Sequence, residues 1–91
     1  MARRIWIAEL VISDSVSRKI RTKHNLSEYE IRSAIVCNRE LLAEEAVDRI
    51  HGSRFLVKCG TTDGKNLLAW IYPLRYFDST WVLKSARIEK R

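Results

Sequence analysis

The sequence predicts an α+β fold in which helices pack on one sheet, with elements in the order β-α-α-β-β-β. Three observations predict it. Ser27 and Glu30 stand at capping-box spacing ahead of an apolar helical pattern. Phe55, Val57 and Cys59 alternate with Leu56 and Lys58 and run toward Asp63-Gly64, a dipeptide suited to a two-residue hairpin turn. Arg4 to Ile12 is rich in Ile, Val and Trp and holds no turn residue, as a first strand would. No internal repeat or linker interrupts the 91 residues, which make one domain spanning 1–91. A chain of this length buries only about 60–65% of its unfolded surface, enough for one core.

After the first strand, Asp14 or Ser15 can cap a helix by accepting from orphan backbone N–H groups. Val16, Ile20 and His24 recur at four-residue spacing, a narrow apolar stripe flanked by Arg18, Lys19, Arg21 and Lys23. Asn25 ends this helix, since Asn tolerates the left-handed conformation found just past a helix terminus. Leu26 and Ile31 hold the two positions of a hydrophobic staple around the Ser27/Glu30 box. Ile31, Ala34, Ile35, Leu41 and Leu42 then follow helical periodicity.

From Ala43 to Ser53 the pattern weakens, and a helix end, a loop and the start of a long strand all remain open. With a two-residue turn at Asp63-Gly64, Cys59 faces Leu68, Val57 faces Trp70 and Phe55 faces Tyr72. That register gives one aromatic core side. It leaves Arg54, Leu56 and Lys58 beside Leu67, Ala69 and Ile71 on the other. Pro73 cannot donate to a ladder, so the strand is expected to end or meet solvent there. A loop to Thr80 and a last strand from Trp81 to Ala86 complete the meander.

The formal charge of +6 is unevenly placed. Residues 1–23 carry six Lys/Arg against two acids, 24–51 three against six, and 52–91 eight against three. Such a field can steer a polyanion to one surface and leave another for a different partner. Two cysteines, Cys37 and Cys59, are too few for a disulfide framework and point to a reducing compartment. Glu9 interrupts the amino-terminal apolar run, which lacks the pattern of a signal peptide. The longest apolar run, Leu67 to Leu74, falls far short of the roughly 20 residues of a membrane span. A cytoplasmic protein with no membrane partner is expected.

Neither His24 nor His51 sits at metal-ligand spacing with Cys, Asp or Glu, and no glycine-rich phosphate loop is present. No metal site and no cofactor is expected. A basic sheet can still support RNA cleavage by the RNA's own 2′-hydroxyl. That reaction needs a base, cations on the phosphate and an acid for the leaving oxygen. His24 is the titratable candidate, because an imidazole can both take and give a proton near neutrality. A His in the last turn of a helix also interacts favourably with the exposed carbonyls, so both roles stay open. Arg54, Lys58, Lys84 and Arg87 together give the sheet a cationic character suited to RNA phosphates. Trp70, Tyr72 and Trp81 can stack bases or fill the core.

Lys23-His24-Asn25-Leu26-Ser27 with Glu30, Arg54-Phe55-Leu56-Val57 leading to Gly60-Thr61-Thr62-Asp63-Gly64-Lys65, and Ser85-Ala86-Arg87 resemble the BrnT-like toxins of type II toxin–antitoxin pairs. These belong to the RelE-like group of small ribonucleases. The resemblance covers roughly residues 9–89. It implies a four-stranded antiparallel sheet with two helices, and a metal-independent endoribonuclease toxin that a cognate antitoxin protein neutralises. It carries over Lys23, His24, Arg54 and Arg87 as catalytic residues. The rival expectation is a non-catalytic nucleic-acid- or protein-binding module on the same fold.

Overall fold

The computed structural model describes residues 2–48, 52–61, 64–75 and 79–89. They form β1 (Ala2–Arg4), β2 (Glu9–Val11), α1 (Asp14–His24), α2 (Glu28–Ile35), β3 (Leu42–Asp48), β4 (Gly52–Gly60), β5 (Asn66–Arg75) and β6 (Thr80–Ile88). One six-stranded sheet has the order β1-β3-β4-β5-β6-β2. β2 runs parallel to β6, and every other pair is antiparallel. The class is α+β as expected. The six-stranded mixed sheet and the order β-β-α-α-β-β-β-β replace the expected four-stranded antiparallel sheet in β-α-α-β-β-β order.

Two segments account for the added strands. The stretch read as one strand, Arg4 to Ile12, holds only the last residue of β1 and, after a break at residues 5–8, the whole of β2, and these two strands pair at opposite edges of the sheet. The undecided stretch from Ala43 to Ser53 supplies most of β3 and the start of β4, with 49–51 outside the described residues.

The break curls the sheet. Outer strands of a flat six-stranded sheet would lie about 24 Å apart, from five spacings of about 4.8 Å. The five residue steps from Arg4 to Glu9 reach at most about 18 Å. The edges must therefore bend toward each other, and segment 5–8 is held on both sides. The Ile5 amide donates to the Leu41 carbonyl at 3.1 Å, and the Ala8 and Glu9 amides donate to the Ser79 carbonyl at 3.0 and 3.3 Å. Ile7 is fully buried between these attachments. Trp81 Nε1 donates to the Trp6 carbonyl at 3.2 Å, and the Trp81 ring meets Phe55 edge-on at 5.2 Å inside the curl.

Both helices contribute to the core, α2 packing toward β4 and α1 lying along β6. Ser13, rather than Asp14 or Ser15, caps α1: its Oγ accepts from the Val16 amide at 3.3 Å. Asp14 becomes the first helical residue, where its carboxylate complements the helix dipole. Asn25 takes the left-handed conformation (φ 52°), and the Leu26 amide donates back to the Ile20 carbonyl at 3.1 Å. The Ser27/Glu30 box forms, with Glu30 N donating to Ser27 Oγ at 3.2 Å and Ser27 N to Glu30 Oε1 at 3.4 Å. Leu26 and Ile31, the expected staple, are both buried. The helix stops at Ile35, short of the expected Leu42. Asn38 Nδ2 donates to the Ala34 carbonyl at 2.9 Å, and Cys37 turns left-handed (φ 58°) with its amide donating to Ile7. Leu41 still reaches the core, but from a loop, and Leu42 opens β3 with half its surface exposed.

The β4–β5 register differs by one residue from expectation. Cys59 pairs with Leu67, Val57 with Ala69 and Phe55 with Ile71. The Thr61 amide donates to the Lys65 carbonyl at 2.9 Å, so three residues, not two, separate the closing pair. Gly64 has φ +86°, the left-handed value that ends a three-residue hairpin loop. Thr62 and Asp63 lie outside the described residues. A slip of one exchanges the faces of the second strand. Leu67, Ala69 and Ile71 therefore join Phe55 and Val57 in the core, while Trp70 and Tyr72 turn outward.

β5 also runs past Pro73 to Arg75 instead of ending there. The pairing with β4 stops at Phe55↔Ile71, so the missing Pro73 N–H interrupts no bond on that side. On the other side the register shifts between Pro73 and Arg75. β6 begins one residue before the expected Trp81 and continues two beyond Ala86.

Candidate nucleic-acid interface

The outward face of β4, β5 and β6 collects the cations that the sequence scattered over three segments. Lys58 pairs with Leu68, and Leu68 with Arg87, so these three side chains leave the sheet on one side in one row. Two strand spacings put the Lys58 and Arg87 backbones about 10 Å apart. The next row is Leu56, Trp70 and Ser85. Arg54 lies two residues before Leu56 and so projects from the same side, next to the Tyr72–Val82 pair. Arg54 and Arg87, whose common side the sequence left open because no short turn fixes the register of the last strand, share one surface.

Aromatic side chains lie among these cations. The Arg54 guanidinium carbon sits 5.4 Å from the centre of the Trp70 ring, within cation–π range. Tyr72 is 38% exposed, and Trp70 is half-buried. Trp81 is in the core and unavailable for stacking. A β-bulge adjusts the far strand: Trp70 pairs with Ser85 and Ile71 with Leu83, which leaves Lys84 as the extra residue. Lys84 is consequently turned toward Arg54 and Tyr72, and the three line one depression.

Helix α1 forms the wall of this face. β2 pairs with β6 only across Thr80–Val82, and α1 packs against β6. Ile20 of α1 enters the core, while the flanking Lys19 and the half-buried His24 look onto the outward face. At the helix's carboxy-terminal end Lys19, His24, Trp70, Ser85 and Arg87 line a depression of about 280 Å³. At its amino-terminal end Ser13 and Val16 line a second, of about 320 Å³, with Arg54, Tyr72, Val82 and Lys84. Lys23 is exposed, and neither depression is lined by it among the described residues.

The structure thus unites His24, Arg54, Lys58, Lys84 and Arg87 and leaves Lys23 apart. Lys19 and Ser85 join this face without having been candidates from the sequence, and of the two roles open to Trp70 and Tyr72 the outward one holds. Lys19 had a legible signal, because it borders the Ile20–His24 stripe. Which of their two roles the aromatics take depends on loop length, which the sequence does not fix. Chemically the face offers fixed positive charge, two rings and one imidazole, and no acidic side chain lines either depression among the described residues.

Cys59 points inward with the core, and burial pushes its thiol from 9.0 up to about 11, so it stays protonated and unreactive near neutrality. Among the described residues no three His, Cys, Asp or Glu side chains are grouped to hold a metal ion. His51 lies outside the described residues. No helix among the described residues is long and apolar enough to cross a membrane. No known protein family matches the chain, and no curated protein or solved structure matches it either.

Proposed function

We propose that this chain is an endoribonuclease that holds RNA against the outward face of β4–β6 and cleaves it through the RNA's own 2′-hydroxyl. The observation that carries the reading is the depression lined by both His24 and Arg87, on the sheet face that also carries Arg54 and Lys58. Arg87 and Lys19 hold the scissile phosphate there. Arg54 and Lys58 hold neighbouring phosphates, and Trp70 offers a ring to a base.

In this mechanism the His24 imidazole takes the 2′-hydroxyl proton, and the 2′ oxygen bonds to phosphorus. The 5′ oxygen leaves with a proton from the Lys19 ammonium or from water. The products are a 2′,3′-cyclic phosphate and a 5′-hydroxyl. Charge that accumulates on the phosphate in between is met by Arg87, a guanidinium whose fork fits two phosphate oxygens. The step is written without a metal: Arg87 is the cation, His24 the base, and Lys19 or water the acid.

The likeness of the Lys23–Ser27, Arg54–Lys65 and Ser85–Arg87 segments to BrnT-like toxins supports a cellular role. In that role RNA cleavage arrests growth until an antitoxin protein covers the face. Induced expression is then expected to slow growth, and an Arg54→Ala, Arg87→Ala double variant is expected to be harmless at equal protein level. Each lost charge-assisted contact corresponds to about tenfold or more in RNA affinity. A folded double variant that still stops growth would sink the site assignment. RNA binding without cleavage would support the rival module, which uses the same cations for binding alone.

A further inference from the structure

We infer that the depression at the amino-terminal end of α1 is a nucleobase subsite, which seats the base next to the phosphate held at His24 and Arg87. The inference rests on the RNA-binding reading and adds to it a specific place for one base. Several features of the structure support it.

The depression has the shape and chemistry of a base pocket. Its volume, about 320 Å³, falls at the lower end of small-molecule sites. Val16 and Val82 give it aliphatic walls, and Tyr72 gives it a ring. Its polar groups are few: Lys84, Arg54 and the Ser13 and Tyr72 hydroxyls. An apolar slot with one ring and a few donors suits a flat heteroaromatic group with acceptor atoms. A bare phosphate would gain nothing from the two valines.

Its position matches that of the phosphate depression. Trp70 lines the phosphate depression and Tyr72 the base depression, two residues apart on β5. Their backbones are about 6.7 Å apart along the strand, the scale of one nucleotide step. Arg54 joins the two, since it lines the base depression and lies over the Trp70 ring. The bulge at Lys84 is placed where it aims a cation into this slot. An uninterrupted strand would have turned that residue to the core side.

The test is binding of short single-stranded RNA to the full chain, read by fluorescence anisotropy at low salt. An intact oligonucleotide is compared with one that lacks a single base at successive positions, against wild type and Tyr72→Ala. Wild type is expected to lose about tenfold in affinity when one particular base is missing, the size of one aromatic stacking contact. Tyr72→Ala is expected to bind intact RNA about tenfold more weakly and to become indifferent to that missing base.

A Val82→Trp variant, which fills the slot, should reproduce the loss while still binding the base-free RNA as wild type does. Equal affinity of wild type for intact and base-free RNA would overturn the subsite. An equal loss on both RNAs in Tyr72→Ala would overturn it as well. Failure of wild type to bind any RNA would overturn the functional reading and the subsite together. Because the readout is binding, a chain that discriminates the base but cuts nothing would overturn the nuclease reading alone.

Discussion

At the scale of single residues, chemistry follows from which side of the sheet a side chain leaves. Arg87 and Arg54 acquire meaning because Leu68 and Trp70 set them on one surface. Cys59 shows the opposite case, a reactive type made inert by burial. Its thiol pKa is raised from 9.0 to about 11, so above about pH 9 the unfolded chain gives up a proton that the folded chain keeps. The thiol's contribution to folding stability is therefore fully present below pH 9 and is lost as pH rises toward 11. Thermal melts from pH 8 to 10.5 are expected to show a steeper decline in wild type than in Cys59→Ala. Parallel declines would mean that the thiol is not held protonated by the fold.

At the scale of elements, what could be read from sequence was whatever a few neighbouring residues decide. The Ser27/Glu30 box and the Asn25 terminus need only adjacent groups, and both form as expected. The β4–β5 hairpin was legible as a hairpin but not in its register. Asp63-Gly64 marks a turn, yet only the Thr61–Lys65 bond shows that its loop is one residue longer. That residue exchanges Tyr72 for Ile71 in the core and reverses the expected roles of the two faces. Stability separates the alternatives. Ile71→Ala is expected to cost about 2–5 kcal/mol, as a fully buried residue does, and Tyr72→Ala less than about 1 kcal/mol. Urea unfolding midpoints read the difference, and a larger loss for Tyr72→Ala would restore the two-residue turn.

At the scale of the whole molecule, the sheet closes on itself through contacts that no local pattern announces. β1 meets β3 across some 40 residues of chain, and β2 meets β6 across some 70. Nothing within Arg4 to Ile12 signals either partner. The same closure puts α1 along β6 and so brings His24, from the amino-terminal half, to Arg87 near the other end. The resemblance that linked these residues said nothing of the added edge strands.

The most direct measurement is incubation of purified protein with end-labelled single-stranded RNA in excess chelator, with analysis of the product ends. The account predicts fragments with 2′,3′-cyclic phosphate and 5′-hydroxyl ends, reduced at least about 100-fold in folded His24→Ala and Arg87→Ala variants. Intact RNA, or undiminished cleavage by those variants, would contradict it.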